Sequence, residues 1–299
     1  MQQQFDERNR DILVSVNGVL RHRDEGAVSA FDSVVQGGDG VWEGLRLYGG
    51  RIFKLEEHLD RLRRSAQALA FTEIPSRDEI VGQIKATLAA NEMTDDVHIR
   101  LTLTRGVKIT SGMDPRLNQS GPTLIVLAEF KSPVYDPRGI TLVTSSVRRH
   151  RADSLDPKIH HNNLLTSILA KIEANVAGAD DALMLDDAGF VAETNATHVF
   201  HVQDGVLRTS TTRACPEGIT RDTVLAIAAA QGIPIELGDF SQAQVYTADE
   251  AFVTGTMGGL TPVVSVDGRT IGHGSRGPLT ERLVKAYADL TSREGTPVT

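Results

Sequence analysis

Two short stretches of this 299-residue chain carry residue types that could act together in catalysis. The first, residues 154–163, joins Lys158 to two histidines, His160 and His161. The second places Glu193 near the end of a predicted strand. An amine nucleophile and a carboxylate that keeps a heterocyclic nitrogen protonated are the groups that pyridoxal phosphate chemistry requires. The pairing indicates that chemistry but does not define it alone.

The composition is that of an ordinary globular protein. Hydrophobic residues make up 40% of the chain and charged residues 23%, and the formal net charge of −8 argues against a general nucleic-acid binder. Residues 1–10 are polar and lack the apolar core of a signal peptide, and no apolar run is long enough to span a bilayer. The single cysteine, Cys215, excludes an internal disulfide and fits a reducing compartment. We therefore predict a cytoplasmic protein.

The order of strands, helices and turns predicts an α+β protein with two successive units. Asn17-Gly18 and Asp267-Gly268 lie between runs of strand-forming residues, so each predicts a β-hairpin. The first domain is predicted at 1–130 and the second, which would bind the cofactor, at 140–299. Residues 131–139 contain two prolines and few apolar side chains, and we expect them to form the linker.

The helices that must position the chemical residues are marked by apolar spacing and capping signals. Apolar residues at 55, 59, 62, 66 and 69 form one stripe, which predicts an amphipathic helix. Ser76 and Glu79 form a capping box for the next helix. Another helical stripe, 164–177, follows the lysine- and histidine-containing stretch directly. A further helix is predicted at 222–231.

Several blocks, in the same order along the chain, resemble the class IV (fold type IV) pyridoxal phosphate-dependent aminotransferases, the group that includes branched-chain and D-amino acid aminotransferases and aminodeoxychorismate lyase. The blocks are Trp42-Glu43-Gly44-Leu45-Arg46, Glu57-His58-Leu59-Asp60-Arg61-Leu62, Glu193-Thr194-Asn195, Gly218-Ile219-Thr220-Arg221-Asp222 and Gly255-Thr256. The resemblance extends over nearly the whole chain. It implies a small N-terminal α/β domain, a larger C-terminal pseudo-barrel domain and a homodimer.

The resemblance also implies which residues hold pyridoxal 5′-phosphate. Glu193 is similar to the carboxylate that bonds the pyridine nitrogen and keeps it protonated. Ile219 and Thr220, at a helix start, resemble one half of a phosphate cup, because backbone amides there point at an anion. Gly255 and Thr256 resemble the other half.

Four further positions take their roles from the same resemblance. Arg61 is similar to the family's phosphate-binding arginine, whose planar fork suits a bidentate grip. Trp42, Arg46 and Met257 would line the substrate pocket by position.

No Cys, His and Asp cluster has metal-ligand spacing, so no metal is expected.

The lysine that the family joins covalently to its cofactor has two possible counterparts here. An alignment without gaps on the D-amino acid type places His160 at that position. An alignment with a small insertion or deletion places Lys158 there, because Lys158 precedes Asn162 by four residues, as the lysine does in the branched-chain type. If 158–160 were extended, the two side chains would project to the same face. We predict that Lys158 is the catalytic lysine.

The resemblance implies an aminotransferase that moves an amino group between an amino acid and a 2-oxo acid, with branched-chain-like substrates. One alternative is another reaction on the same cofactor, such as a lyase of the aminodeoxychorismate type, since one fold hosts many chemistries. The other is a cofactor-independent relative that has lost the lysine, with His160 in its place. Neither nucleic acid nor a membrane is an expected partner.

Overall fold

The computed structural model describes residues 4–298, which separate into two compact units. The first unit holds residues 4–132, 159–163 and 291–298, and the second holds 133–158 and 164–290. Both contain helices and a sheet, so the predicted α+β class is confirmed. No sequence pattern indicated that 159–163 and 291–298 would join the first unit.

Sixteen strands and seven α-helices are present in the described residues. The strands are β1 Leu13–Val16, β2 Val19–His22, β3 Gly40–Tyr48, β4 Arg51–Ile52, β5 Val97–Thr104, β6 Thr123–Phe130, β7 Ile140–Thr144, β8 Asp181–Leu185, β9 Val191–Thr194, β10 His198–Gln203, β11 Val206–Thr209, β12 Ile235–Leu237, β13 Glu250–Gly255, β14 Gly259–Val266, β15 Arg269–Thr270 and β16 Thr296–Pro297. The helices are α1 Ser33–Gly37, α2 Leu55–Ala68, α3 Arg77–Ala90, α4 Leu165–Val176, α5 Ile219–Ala230, α6 Gln242–Tyr246 and α7 Pro278–Arg293. None of the described helices is long and apolar enough to cross a membrane.

The first unit is built on an antiparallel sheet with the strand order β16-β4-β3-β5-β6-β1-β2. The apolar stripe of α2 is buried against this sheet, as its spacing predicted, with Leu55, Leu59 and Leu62 in the core. The predicted capping box is also present at the start of α3, where Ser76 and Glu79 bond each other's backbone amides. The hairpin at Asn17-Gly18 is confirmed, and both turn residues have positive φ (50° and 79°), which Asn and Gly tolerate best.

The second unit is built on a mixed sheet with the strand order β12-β11-β10-β13-β14-β7-β8-β9, to which β15 adds beside β14. Strand β7 pairs in parallel with both β8 and β14, whereas β10, β13 and β14 form an antiparallel run. Helix α4 buries Ala170 and Ala174 against β8. Its large apolar side chains lie on the other face of the helix and are exposed: Leu165, Ile168, Leu169, Ile172 and Val176. We call these five residues the α4 stripe.

Candidate functional site

Glu193 is a buried carboxylate on β9, which lies at one edge of the sheet of the second unit. Its Oε1 lies 2.7 Å from Nη2 of Arg149. Arg149 is itself held in place, since its Nη1 donates a hydrogen bond to Ser167 on α4 at 3.1 Å. A paired arginine allows a carboxylate to remain charged away from water. Sequence reasoning missed Arg149, because three arginines lie within 148–151 and no local signal distinguishes it.

Cys215 lies near Glu193, and both burial and that carboxylate affect the protonation of its thiol. Burial and the negative charge of Glu193 raise the pKa of the Cys215 thiol to about 12. The thiol is therefore neutral at physiological pH, and a neutral thiol is a poor nucleophile. This cysteine fills space in the core of the second unit.

Helix α5 begins at Ile219, three residues earlier than its sequence pattern predicted, because Gly218 acts as the N-cap residue. The amides of Ile219 and Thr220 are in the first turn, where no helical carbonyl precedes them to accept their hydrogen bonds. The side chain of Thr223 closes the turn by donating to the carbonyl of Ile219 at 2.8 Å. These amides are thus available to an anion, with the positive end of the helix dipole behind them.

His198 connects this helix start to β13. A Cβ on Gly218 would lie 2.4 Å from Cε1 of His198, so the imidazole ring packs directly on the glycine backbone. His198 also pairs with Thr254 across β10 and β13, and its Nε2 bonds the carbonyl of Pro216 at 2.9 Å. One residue later on β13, a Cβ on Gly255 would lie 2.9 Å from Cγ2 of Thr197. A side chain at position 218 would therefore collide with His198, and one at position 255 would collide with Thr197.

The turn between β13 and β14 contains Thr256 and Met257, both half-buried. Thr254, just before it, is wholly buried, and its hydroxyl has no hydrogen-bond partner within residues 4–298. A buried hydroxyl without a partner is a costly feature of a folded chain and often marks a ligand-binding position. The helix start and this turn are the two predicted halves of the phosphate cup. His198 packs on Gly218 at the helix start, and Thr197 packs on Gly255 just before the turn.

Lys158 lies in a turn and not in the extended segment that the sequence predicted. The reason is local: Pro157 precedes it, and the Asp156 side chain accepts a hydrogen bond from the Lys158 amide at 2.9 Å. The lysine Nζ bonds the hydroxyl of Thr212 and lies 3.7 Å from Oε1 of Glu217. Both residues belong to the loop that leads into Gly218, so the amine lies beside the chain segment that opens the helix start.

In the first unit, Glu43 on β3 is a wholly buried carboxylate with charged partners. The guanidinium of Arg61 donates to it from Nε at 2.8 Å and from Nη2 at 2.7 Å, and His58 bonds it through Nδ1 at 2.6 Å. Burial raises the pKa of Glu43, but the charge of Arg61 and the neighbouring His160 outweigh burial and hold it well below its usual range. Two nitrogens of the predicted phosphate-binding arginine are thus engaged by Glu43, and a phosphate contact by Arg61 stays a prediction.

His160 also belongs to the first unit, because residues 159–163 run alongside β3. The carbonyl of His160 accepts the Trp42 amide at 2.9 Å, and the Asn162 amide donates to the carbonyl of Gly40 at 2.9 Å. The ring of His160 stacks on the Trp42 indole with a centroid separation of 4.2 Å. The carbon Cζ of Arg100 lies 3.5 Å from the centroid of the same indole. Sequence reasoning missed Arg100, which is one of alternating polar positions on β5.

Arg46 has structural partners in the first unit. Its Nη2 forms an ion pair with Oδ1 of Asp96 at 2.6 Å, and its Nη1 donates to the carbonyl of Lys131 at 2.5 Å. These bonds join the middle of β3 to the start of β5 and the end of β6. A place in the substrate pocket stays a prediction for Arg46, as it does for Trp42 and Met257.

Known proteins of one family resemble this chain over most of its length. Residues 40–266 match the family model described as Amino-transferase class IV. The branched-chain-amino-acid aminotransferase-like protein 2 of Arabidopsis thaliana is 54% identical over 97% of this chain, which spans only 52% of that relative's length. The putative branched-chain-amino-acid aminotransferase of Methanocaldococcus jannaschii is 39% identical, with 95% of this chain and 98% of the relative covered.

Solved structures agree with the sequence relatives. The T.th. branched-chain amino acid aminotransferase complexed with N-(5′-phosphopyridoxyl)-L-glutamate superposes with a TM-score of 0.87 at 35% identity, covering 94% of each chain. The branched-chain aminotransferase from Thermoproteus uzoniensis with norvaline gives a TM-score of 0.89 at 29% identity, covering 97% of this chain and 100% of the other. The chain belongs to the class IV aminotransferase family, and its fold is that of the family.

The contact between Gly218 and His198 generates a test of the site's construction. A methyl group at 218 would displace the imidazole or the helix start, so Gly218→Ala should lower the free energy of unfolding by about 1–3 kcal/mol. His198→Ala removes the ring and the clash with it. The double variant should therefore lose less stability than the two single losses added together, by roughly 0.5–3 kcal/mol. Urea unfolding of the four proteins measures this coupling.

Gly82→Ala is the matched control. Gly82 lies within α3, and an added Cβ there meets no atom within 4 Å. Alanine is the better helix former, so this variant should be as stable as the parent chain or about 1 kcal/mol more stable. Strictly additive losses at 198 and 218 would contradict the packing described here.

Proposed function

We propose that this chain is a pyridoxal phosphate-dependent aminotransferase that moves an amino group between an amino acid and a 2-oxo acid. The observation that carries the proposal is the set of site features that the second unit contains. It contains a buried carboxylate, Glu193, a helix start with available amides, and the turn at Gly255-Thr256, with Thr197 and His198 fixing the backbone of the latter two. The complex of the T.th. relative with a phosphopyridoxyl compound supports the same cofactor.

The site residues of the second unit fit the chemistry of pyridoxal phosphate. A phosphate takes backbone amides and hydroxyls as donors, which Ile219, Thr220 and Thr256 would supply. The buried Thr254 hydroxyl, which has no partner in the described residues, lies next to Gly255. Pyridoxal phosphate, when bound, supplies a ring that accepts electrons from the substrate carbon. Glu193 would hold the proton on the ring nitrogen, because its negative charge favours the protonated form.

Lys158 would provide the amine that attaches the cofactor covalently. The turn that positions it is fixed by Asp156, and Thr212 and Glu217 orient its Nζ. When an amino acid substrate displaces the lysine, these two side chains would hold the released amine in place. The site would thus keep the lysine close while the substrate reacts.

Branched-chain amino acids are the substrates that we propose, because the sequence relatives and the two superposed structures carry that activity in their names. In this chain, Trp42 and Met257 would contact the substrate side chain. The plant relatives are about twice as long as this chain, so the activity of the whole protein is part of the same proposal. A cytoplasmic location stays a prediction that rests on the single cysteine.

The covalent role of Lys158 can be tested by chemical trapping. Borohydride converts a lysine–cofactor bond into a stable amine, and proteolysis followed by mass spectrometry then locates the cofactor. We expect the label on the peptide that contains Lys158, and Lys158→Ala should abolish both the label and transamination. Lys285→Ala, which removes an exposed lysine of α7, should leave both unchanged. A label on a different lysine would refute the assignment.

The role of Glu193 predicts a separation of turnover from cofactor uptake. Glu193→Gln removes the charge that keeps the ring nitrogen protonated, so the rate of transamination should fall on the order of 100-fold or more, while the cofactor is retained. Glu236→Gln breaks a carboxylate–arginine pair at the surface and should leave the rate unchanged. Steady-state rates at saturating cofactor distinguish the two variants. An unchanged rate in Glu193→Gln would contradict this role.

We further propose a homodimer in which the α4 stripe packs against a second copy. Its five residues are contiguous on one helical face and exposed, with Val176 at 85% and Leu165 at 72%. A continuous apolar face of this kind marks an interaction surface, and homo-oligomers with a two-fold axis are the most common assemblies. The resemblance to the family also implies a homodimer.

A charge on the α4 stripe should dissociate this dimer. Ile172→Glu puts a carboxylate in the middle of the stripe, where burial against a partner would leave it without a counter-charge. Light scattering after size exclusion should report twice the chain mass for the parent protein and a single mass for the variant. Val19→Glu changes an isolated exposed valine of β2 and should remain dimeric. A parent chain that is monomeric at micromolar concentration would contradict the proposal.

A further inference from the structure

Residues 133–139 lie within the predicted linker, and two of them are fixed to the body of the second unit. The ring of Tyr135 packs on Gly258, where an added Cβ would lie 2.6 Å from Cδ2 of the tyrosine. The carbonyl of Pro137 accepts a hydrogen bond from Nη2 of Arg276 at 2.6 Å. All four of these residues belong to the second unit, so the position of Tyr135 is determined within that unit.

The hydroxyl of Tyr135 is held at the other end of the ring. It donates a hydrogen bond to Oδ2 of Asp181, a buried carboxylate at the start of β8. The other carboxylate oxygen lies 3.2 Å from Nζ of Lys171 on α4, which fixes the carboxylate in turn. Burial and then the negative charge of Asp181 raise the pKa of Tyr135, so the phenol keeps its hydrogen and acts as a donor. The orientation of the ring is therefore fixed.

Gly258, on which this ring packs, is the last residue of the turn that contains Thr256. At the other end of the turn, Gly255 is contacted by Cγ2 of Thr197. Burial and Asp181 dominate the pKa of Tyr135, but the Thr197 hydroxyl is near enough to the phenol to oppose them. The two contacts that support the ends of the turn thus come from neighbouring side chains.

The ring of Tyr135 explains why residue 258 is a glycine. Gly258 does not have a positive φ, so its backbone conformation is open to any residue. The nearest atoms to an added Cβ are Cδ2 and Cε2 of Tyr135, at 2.6 and 2.9 Å, and the next atom is 3.7 Å away. The missing side chain at 258 therefore makes room for the tyrosine.

We propose that Tyr135 is a positioning residue for phosphate binding: its ring, held through Asp181, supports the turn that presents Thr256 to the anion. The inference rests on the proposed function, in which Thr256 donates to the phosphate of the cofactor. A hydrogen bond weakens steeply when its distance or angle departs from the optimum, so a turn that shifts would lose its grip on the phosphate. Tyr135 itself is assigned no contact with the anion.

Equilibrium dialysis with pyridoxamine 5′-phosphate tests this role without catalysis. This form of the cofactor carries the phosphate, but its amine cannot bond covalently to a lysine, so the result is independent of Lys158. Inorganic phosphate and pyridoxamine serve as competitors, the first for the anion site alone and the second for the site of the ring. Ionic strength is kept constant, because exposed charges are screened by salt.

Tyr135→Ala removes the ring from the turn. The Kd of pyridoxamine 5′-phosphate and the competition constant of inorganic phosphate should both rise by about 10–100-fold, the effect of losing one hydrogen bond to a charged group. The competition constant of pyridoxamine, which has no phosphate, should stay at the parent value. Tyr135→Phe keeps the ring and loses only the bond to Asp181, so its loss should be smaller, about 2–10-fold.

Tyr246→Ala is the matched control. Tyr246 packs against the same apolar core as Tyr135, and its hydroxyl also donates to a carboxylate, Oδ2 of Asp267, at 2.6 Å. It belongs to α6 and not to the segment beside the turn. This variant should bind pyridoxamine 5′-phosphate and inorganic phosphate with the parent affinities.

Gly258→Ala tests the same contact from the side of the turn. The added methyl group would displace either the ring or the turn, so pyridoxamine 5′-phosphate should bind more weakly. In the variant that also carries Tyr135→Ala the collision is absent, and the affinity should be no lower than in Tyr135→Ala alone. Gly238→Ala, where an added Cβ meets no atom within 4 Å, should bind as the parent does.

The outcomes separate this inference from the proposed function. Parent affinity in a folded Tyr135→Ala would overturn the role of Tyr135 and leave the aminotransferase proposal standing. Equal weakening of pyridoxamine and its phosphate would also overturn it, since Tyr135 would then support the fold and not the anion site. If Tyr135→Ala does not fold, parent affinity in Gly258→Ala would overturn the inference. A parent chain that binds pyridoxamine 5′-phosphate no more tightly than pyridoxamine would overturn the phosphate cup and this inference with it.

Discussion

The ion pair between Glu43 and Arg61 is the interaction on which the buried polar cluster of the first unit depends. The carboxylate is wholly enclosed, and its oxygens are bonded by the arginine fork and by His58, with His160 beside them. Removing one member of such a pair leaves a buried charge without compensation, at a cost of about 3–5 kcal/mol. The pair therefore fixes a negative charge beside the ring of His160, whose Nδ1 lies 3.4 Å from Oε1 of Glu43.

A second pair of the same kind operates in the other unit, where Arg149 holds the buried Glu193. In each unit, therefore, a buried glutamate is paired with an arginine. The two carboxylates have different neighbours. Glu43 lies beside the imidazoles of His58 and His160, whereas Glu193 is near a neutral thiol, and a short turn after β9 leads to Thr197 and to β10. Glu43 thus lies beside two imidazole rings, and Glu193 is the carboxylate that we propose for a protonated nitrogen of a bound group.

Much of the fold follows from local signals in the sequence. The apolar stripe of α2, the capping box at Ser76 and the Asn17-Gly18 turn were predictable because each depends on residues within one or two helical turns. The partners of the site residues were not. Arg149 meets Glu193 across 44 positions, and Arg61 meets Glu43 across a strand and a turn, and neither contact leaves a periodic trace in the sequence. The turn at Lys158 was missed because Asp-Pro is compatible with both an extended segment and a side-chain-capped turn.

The difference between Lys158 and His160 has a physical basis that the sequence alone did not show. The chain passes from one unit to the other between these residues, so two side chains that are close in sequence are oriented by different sets of partners. Lys158 is oriented by Thr212 and Glu217, and His160 by Trp42 and Glu43.

The visible absorption spectrum of the purified chain, recorded during titration with pyridoxal phosphate, tests the central claim most directly. We expect the chain to develop a visible absorption band that saturates at one cofactor per chain. The band should be lost when an amino acid substrate is added. Pyridoxal without its phosphate should produce the band only weakly, because the helix start and the turn at Thr256 would have no anion to bind. A chain that develops no visible band at any cofactor concentration would contradict the account.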